Sequence, residues 1–106
     1  MTGIEVQRWA GAATFDPAAP AATFRAAGLS YYAWGNGPGD RYGEHAHSYD
    51  KTLVCLEGSI TFHVPGEAAL VLTPGDCLVL PAGTRHAATV GPAGVRCEEA
   101  HGRLPG

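Results

Sequence analysis

His45 and His47, two residues apart, and His86, set behind Pro81-Ala82-Gly83, are the side chains best placed to do chemistry. Alternate residues of an extended segment project to one face. If residues 45–47 are extended, both imidazoles converge on one side of a sheet. A third imidazole from another strand then completes three nitrogens around one point. Neutral imidazole is a common ligand of divalent transition metals, and three of them leave positions open for water, oxygen or substrate. The pattern is a metal site in outline.

The elements that must position these histidines read as strands. Fifteen glycines and eight prolines, bunched between short apolar runs, are the punctuation of an all-β domain. Residues 4–9 form the first expected strand. A helix or irregular arm follows, with Asp16 as cap, Pro17 at the first helical position and Gly28 as the stop. Further strands are expected over 29–34, 52–56, 59–64, 69–72, 77–80, 86–90 and 95–99, with a polar tail beyond. Ile60, Phe62 and Val64 alternate with Thr61 and His63, which is period two. Glu57-Gly58 and Pro65-Gly66 read as tight turns. The expected organisation is one domain over 1–106, with a barrel core at about 29–100 and an N-terminal strand and short helix or arm over 1–28.

Bulk properties narrow the function classes. The chain is 45% hydrophobic and 16% charged, enough to build a core. A net charge of −3 without a run of like charges argues against nucleic acid or an acidic membrane surface as partner. No apolar run reaches membrane-spanning length, and residues 1–11 lack the basic and apolar segments of a signal peptide. Cys55, Cys77 and Cys97 are odd in number, lack C-x-x-C spacing and read as packing residues. A cytoplasmic setting is expected.

Two stretches together resemble the paired motifs of the cupin superfamily. The first is Gly39, five residues, His45, one residue, His47, then a run ending at Gly58. The second is Gly75, five residues, Pro81, Ala82, Gly83, two residues, His86. The likeness spans about half the chain, from Gly39 to Val90, and the short gap between Gly58 and Gly75 is similar to that of compact bacterial members. It implies a single antiparallel jelly-roll β-barrel with a divalent metal (iron, manganese, nickel, zinc or copper) held in its cavity by His45, His47 and His86. Gly58, Gly75 and Gly83 stand where sharp reversals call for positive φ or close backbone approach.

One residue breaks the pattern. The family's first motif places a glutamate, a fourth ligand, seven residues before the glycine aligned with Gly58; this chain has Lys51 there. Val90 also replaces the final asparagine of the second motif. An ammonium 4 Å from a divalent cation is repelled by about 8 kcal/mol at an effective dielectric of 20. Three arrangements remain open. Lys51 turns away or is neutral beside a three-histidine site; Asp50 or Glu44 supplies an oxygen ligand; or a metal-free cavity binds an anion through Lys51 and the histidines.

Other polar and aromatic residues carry weaker expectations. His63 and Arg85 read as solvent-facing, and His101 as part of a solvated tail. Tyr31, Tyr32 and Trp34 read as sheet packing or dimer contacts, and Tyr42 and Tyr49 as rim residues. The leading functional expectation is a metal-dependent enzyme of the dioxygenase, isomerase or lyase class acting on a small polar molecule, with Lys51 as catalytic base or carboxylate clamp. The alternative is a ligand-binding or sensing protein without turnover. A homodimer is expected, because small barrels with open sheet edges gain from pairing.

Overall fold

Short apolar runs bounded by glycine and proline become an antiparallel jelly-roll barrel in the computed structural model, which describes residues 3–9 and 14–104. The elements are β1 (Glu5–Gln7), α1 (Ala19–Ala26), β2 (Tyr31–Asn36), β3 (Arg41–His45), β4 (Lys51–His63), β5 (Leu70–Leu72), β6 (Cys77–Leu80) and β7 (His86–His101). The sheet runs β1-β6-β4-β7-β2, with β3 also on β7 and β5 also on β4. Every strand pairing among the described residues is antiparallel. Residues 10–13 of the expected N-terminal arm lie outside the described residues.

Strand β4 shows how one sequence serves two layers. Its first six residues, Lys51 to Leu56, are all buried. Leu53 and Cys55 enter the barrel core with Ile60, Phe62, Leu72, Leu78 and Leu80. Val54 and Leu56 point the other way and pack with Phe24 of α1 and Ala100. The helix thus covers one end of the outer face. Beyond Gly58 the outer face is more open, and the expected alternation appears: Ile60 and Phe62 are buried, while His63 is exposed and bonds Thr89 Oγ1 at 3.2 Å.

Two expected breaks are not breaks. Glu57-Gly58 does not turn the chain, and β7 runs unbroken through Gly91-Pro92-Ala93-Gly94. Both strands instead bulge, with the β4–β7 register slipping between Cys55 and Glu57 and again between Gly58 and Ile60. Gly58 has φ 73°, and a Cβ there would collide with the carbonyl of Gly94. Positive φ and close backbone approach are therefore required here, as expected, but they serve a bulge that bends two long strands together. Gly75 and Gly83 also take positive φ.

Smaller differences have local causes. The helix starts at Ala19 rather than Pro17, because Asp16 first closes a turn. Its Oδ1 accepts from Ala18 N–H at 2.9 Å and its carbonyl from Ala19 N–H at 3.0 Å. The strand expected over 29–34 is shifted to Tyr31–Asn36, since Leu29 is still tied to the helix end through its N–H to Phe24 O at 3.0 Å. The first strand is only Glu5–Gln7, the stretch that pairs with β6.

Asp76 fastens the N-terminal segment to the turn before β6. The carboxylate is 5% exposed and accepts from the N–H groups of Thr73 and Trp9 at 2.9 and 3.0 Å and from Arg8 at 2.9 Å. Burial pushes its pKa up, but these hydrogen bonds and the Thr73 hydroxyl outweigh burial and hold it below the usual value. A carboxylate depressed on folding contributes stability above its unfolded pKa, and that contribution is lost as pH falls. Asp76→Ala is expected to cost about 1–3 kcal/mol at pH 7. Urea unfolding at pH 7 and pH 3 checks it: the gap between variant and wild type should shrink at the lower pH.

Candidate metal centre

Two pieces of chain bring the histidines together. His45 ends β3 and lies directly opposite His86, the first residue of β7. His47 lies just beyond the paired part of the strand, and its ring still meets that of His45, as the i, i+2 spacing predicts. The loop carrying His47 is stitched to the turn before His86: Gly83 N–H donates to His47 O at 2.8 Å, and Ala82 N–H to Asp50 Oδ1 at 2.8 Å. The ring centroids are 4.4 Å apart for His45 and His86, 4.9 Å for His45 and His47, and 5.3 Å for His47 and His86. One nitrogen from each ring lies within 4.8 Å of the other two.

The second nitrogen of each ring is committed elsewhere. His86 Nδ1 bonds Thr84 O at 2.9 Å and His45 Nδ1 bonds Gly43 O at 2.6 Å. A carbonyl only accepts, so both Nδ1 atoms carry a proton, which leaves Nε2 as the nitrogen each ring can offer a metal. His47 Nδ1 pairs with the Tyr49 hydroxyl at 3.1 Å. The Nε2 atoms of His47 and His86 are buried with no hydrogen-bond partner. Buried polar atoms seldom go unpartnered. Burial, first, and then the positive charge of Lys51 and the neighbouring rings hold His47 below the usual histidine pKa. His86 is lowered by burial too, against the opposing bond to Thr84. Three ring nitrogens clustered this closely, two of them buried without a partner, fit a divalent transition metal.

Lys51 lies inside. It is 8% exposed and lines the same cavity as the three histidines. Its ammonium pairs with Glu99 Oε1 at 3.3 Å. Glu99, 3% exposed, also accepts from the Tyr32 hydroxyl at 2.6 Å and Trp34 Nε1 at 2.7 Å. Glu99 is not among the residues expected at the site. The signal for it lies in the alternation of Val95, Cys97 and Glu99, which places all three on the face of β7 that looks inward.

Other expectations resolve on contacts. Glu44 is taken by Arg85 at 2.7 Å, and Asp50 by Ala82 N–H and by Arg103 at 2.9 Å; neither belongs to the nitrogen cluster. Arg85 is exposed, as expected. Tyr32 and Trp34 line the cavity rather than serving only as sheet packing, whereas Tyr31 stacks on Phe24 at 5.7 Å. Tyr42 also lines the cavity and bonds Asn36. His101 is the last residue of β7, not part of a free tail. Its ring stacks on Tyr49 at 3.7 Å, and its Nε2 is 4.0 Å from Glu99 Oε2. The three cysteines are unpaired, with Cys55 and Cys97 facing each other in the core.

The cavity holds about 240 Å³. No helix among the described residues is long and apolar enough to cross a membrane.

Comparison with known proteins agrees with this geometry. A segment of 49 residues is 45% identical to a quercetin 2,3-dioxygenase from Bacillus subtilis (strain 168), covering 45% of this chain and 14% of that protein. A protein of unknown function from Rhizobium leguminosarum superposes with a TM-score of 0.64 at 18% identity, over 70% of this chain and 69% of the other. The DMSP lyase DddQ from Ruegeria pomeroyi DSS-3 gives 0.63 at 25% identity, over 74% of this chain and 40% of the lyase. The family model described as a cupin domain matches residues 36–94, more than half of the chain and the stretch that carries all three histidines. The chain belongs to the cupin family.

Proposed function

We propose that this cupin is a small metal-dependent enzyme of the dioxygenase, isomerase or lyase class, with a divalent transition metal held by His45, His47 and His86. The observation that carries the reading is the pair of buried, unpartnered Nε2 atoms on His47 and His86, in rings of which His86 is locked by its backbone bond. A bound divalent metal supplies Lewis acidity and open coordination positions. The protein's own groups orient the ligands through Thr84, Gly43 and Tyr49. Ile60, Phe62 and Ala88 give the cavity a water-excluding wall, and Lys51 presents a positive group to a small substrate. The similarity to a quercetin dioxygenase and to a DMSP lyase supports oxygenase or lyase chemistry on this scaffold. Elemental analysis of protein purified without chelator tests the reading: a stoichiometric transition metal is expected, and its absence after supplementation sinks it.

A second reading follows from Lys51 standing where the family's fourth ligand belongs. In it the cavity binds a small anion without turnover, and the metal content of the purified protein separates the two. We extend the first reading to a cytoplasmic homodimer, which the three unpaired thiols and the outer edge of β2 favour.

Lys51→Glu tests the departure directly. The new carboxylate would stand beside Glu99, so two buried negative charges would share one wall and call for a cation. Affinity for zinc or manganese is expected to rise by about tenfold or more as a repulsion becomes an attraction. Isothermal titration of the metal-free proteins measures it, and an unchanged affinity places Lys51 outside the metal's electrostatic reach.

A further inference from the structure

The Lys51–Glu99 pair is unequal. A carboxylate offers about four acceptor positions. Glu99 has the Tyr32 hydroxyl at 2.6 Å, Trp34 Nε1 at 2.7 Å and Lys51 Nζ at 3.3 Å, with His101 Nε2 4.0 Å from its second oxygen. It is a fixed anchor with little capacity left for a guest. Lys51 is the reverse case. An ammonium has three N–H donors, and Glu99 is the one polar partner of this ammonium among the described residues. Its remaining donors belong to a buried group that lines the cavity.

Charge and shape narrow what those donors would meet. Lys51 and Glu99 cancel, and Glu99 is the one carboxylate among the described residues lining the cavity, so the wall carries no net negative charge to offset a divalent metal. Much of the remaining surface is apolar: Ile60, Phe62, Ala88 and the ring of Trp34. A volume of 240 Å³ equals about eight waters of liquid, which suits a compact molecule rather than an extended one.

We propose that Lys51, held in place by Glu99, is the specificity-determining residue of the cavity and selects a small organic anion: a carboxylate or enolate on a compact apolar body, its charged oxygen accepting from the Lys51 ammonium. This deepens the functional reading above and rests on it for the reaction, but not for the recognition. The anion supplies the negative charge that the family's fourth ligand would have brought. Tyr32 and Trp34 act through Glu99 as positioning residues.

Isothermal titration with benzoate and its neutral isostere benzamide tests the proposal, on metal-free and zinc-loaded protein alike. Wild type should bind benzoate about ten- to a hundredfold more tightly than benzamide in both states, the value of one buried charge-assisted hydrogen bond. Lys51→Met should abolish the preference. Should Lys51→Met fold poorly with Glu99 left unpaired, the double variant Lys51→Met/Glu99→Gln carries the same expectation. Equal binding of the two probes by wild type overturns the proposal, as does a preference that survives in a folded variant. A preference that appears only with zinc and ignores Lys51 overturns this assignment and leaves the metal reading standing. A Lys51-dependent preference in protein that takes up no zinc does the opposite.

Discussion

In the His86→Ala variant, affinity for zinc or manganese is expected to fall by about a hundredfold or more. Loss of a residue that merely orients a metal ligand already costs ten- to a hundredfold, and here the ligand itself is removed. His86 is the deepest of the three histidines at 1% exposure, and its ring is fixed by Thr84 at the start of β7. His47→Ala should behave similarly. His63→Ala is the control, because that ring is exposed and bonded to Thr89. Titration of the metal-free proteins, with elemental analysis of protein grown in supplemented medium, gives the answer. Equal metal content in wild type and both variants would show that the three rings converge for another reason.

Glu99→Gln is expected to lower folding stability by about 3–5 kcal/mol, the usual cost of leaving one member of a buried ion pair without its partner. Three donors converge on this carboxylate, and the ammonium of Lys51 has no second protein acceptor among the described residues. The double variant Lys51→Met/Glu99→Gln should recover much of that loss, since no unpaired ammonium remains and the introduced amide oxygen still accepts from Trp34 or Tyr32. Urea unfolding of the two single variants and the double closes the cycle. A coupling energy of about 2 kcal/mol or more is expected for a pair in direct contact. Additive effects would mean that the ion pair does not hold the cavity wall together.

The glycines show where local reading stops. A glycine after a polar residue at the end of an apolar run has the same signature whether it turns the chain or bulges a strand. The sequence pattern therefore predicts positive φ at Gly58 but not its use. What distinguishes the two is the partner strand, since the carbonyl of Gly94 presses on the place a Cβ would occupy. The break expected after Val90 is absent for the same reason. Pro92 and two glycines punctuate a bulge that β4 holds in register on either side.

The alternation of Ile60 and Phe62, the three histidines and the spacing of both motifs are legible from the chain alone, because each depends on neighbours a few residues away or on a repeated local geometry. The all-β class follows from those same local periods, and the antiparallel barrel from the resemblance that the two motifs carry. The electrostatic state of the site is not legible there. Lys51 reads equally well as a solvated lysine or an intruder at the metal position, and its spacing from His47 cannot separate the two. Its counter-charge comes from Glu99, which faces Leu53 across the β4–β7 ladder and is held by two aromatic residues of β2. Burying an ammonium is unfavourable until such a partner is in place. Local pattern identified the histidines, the pairing of β3 with β7 brought them together, and the packing of β2, β4 and β7 made a buried lysine beside them possible.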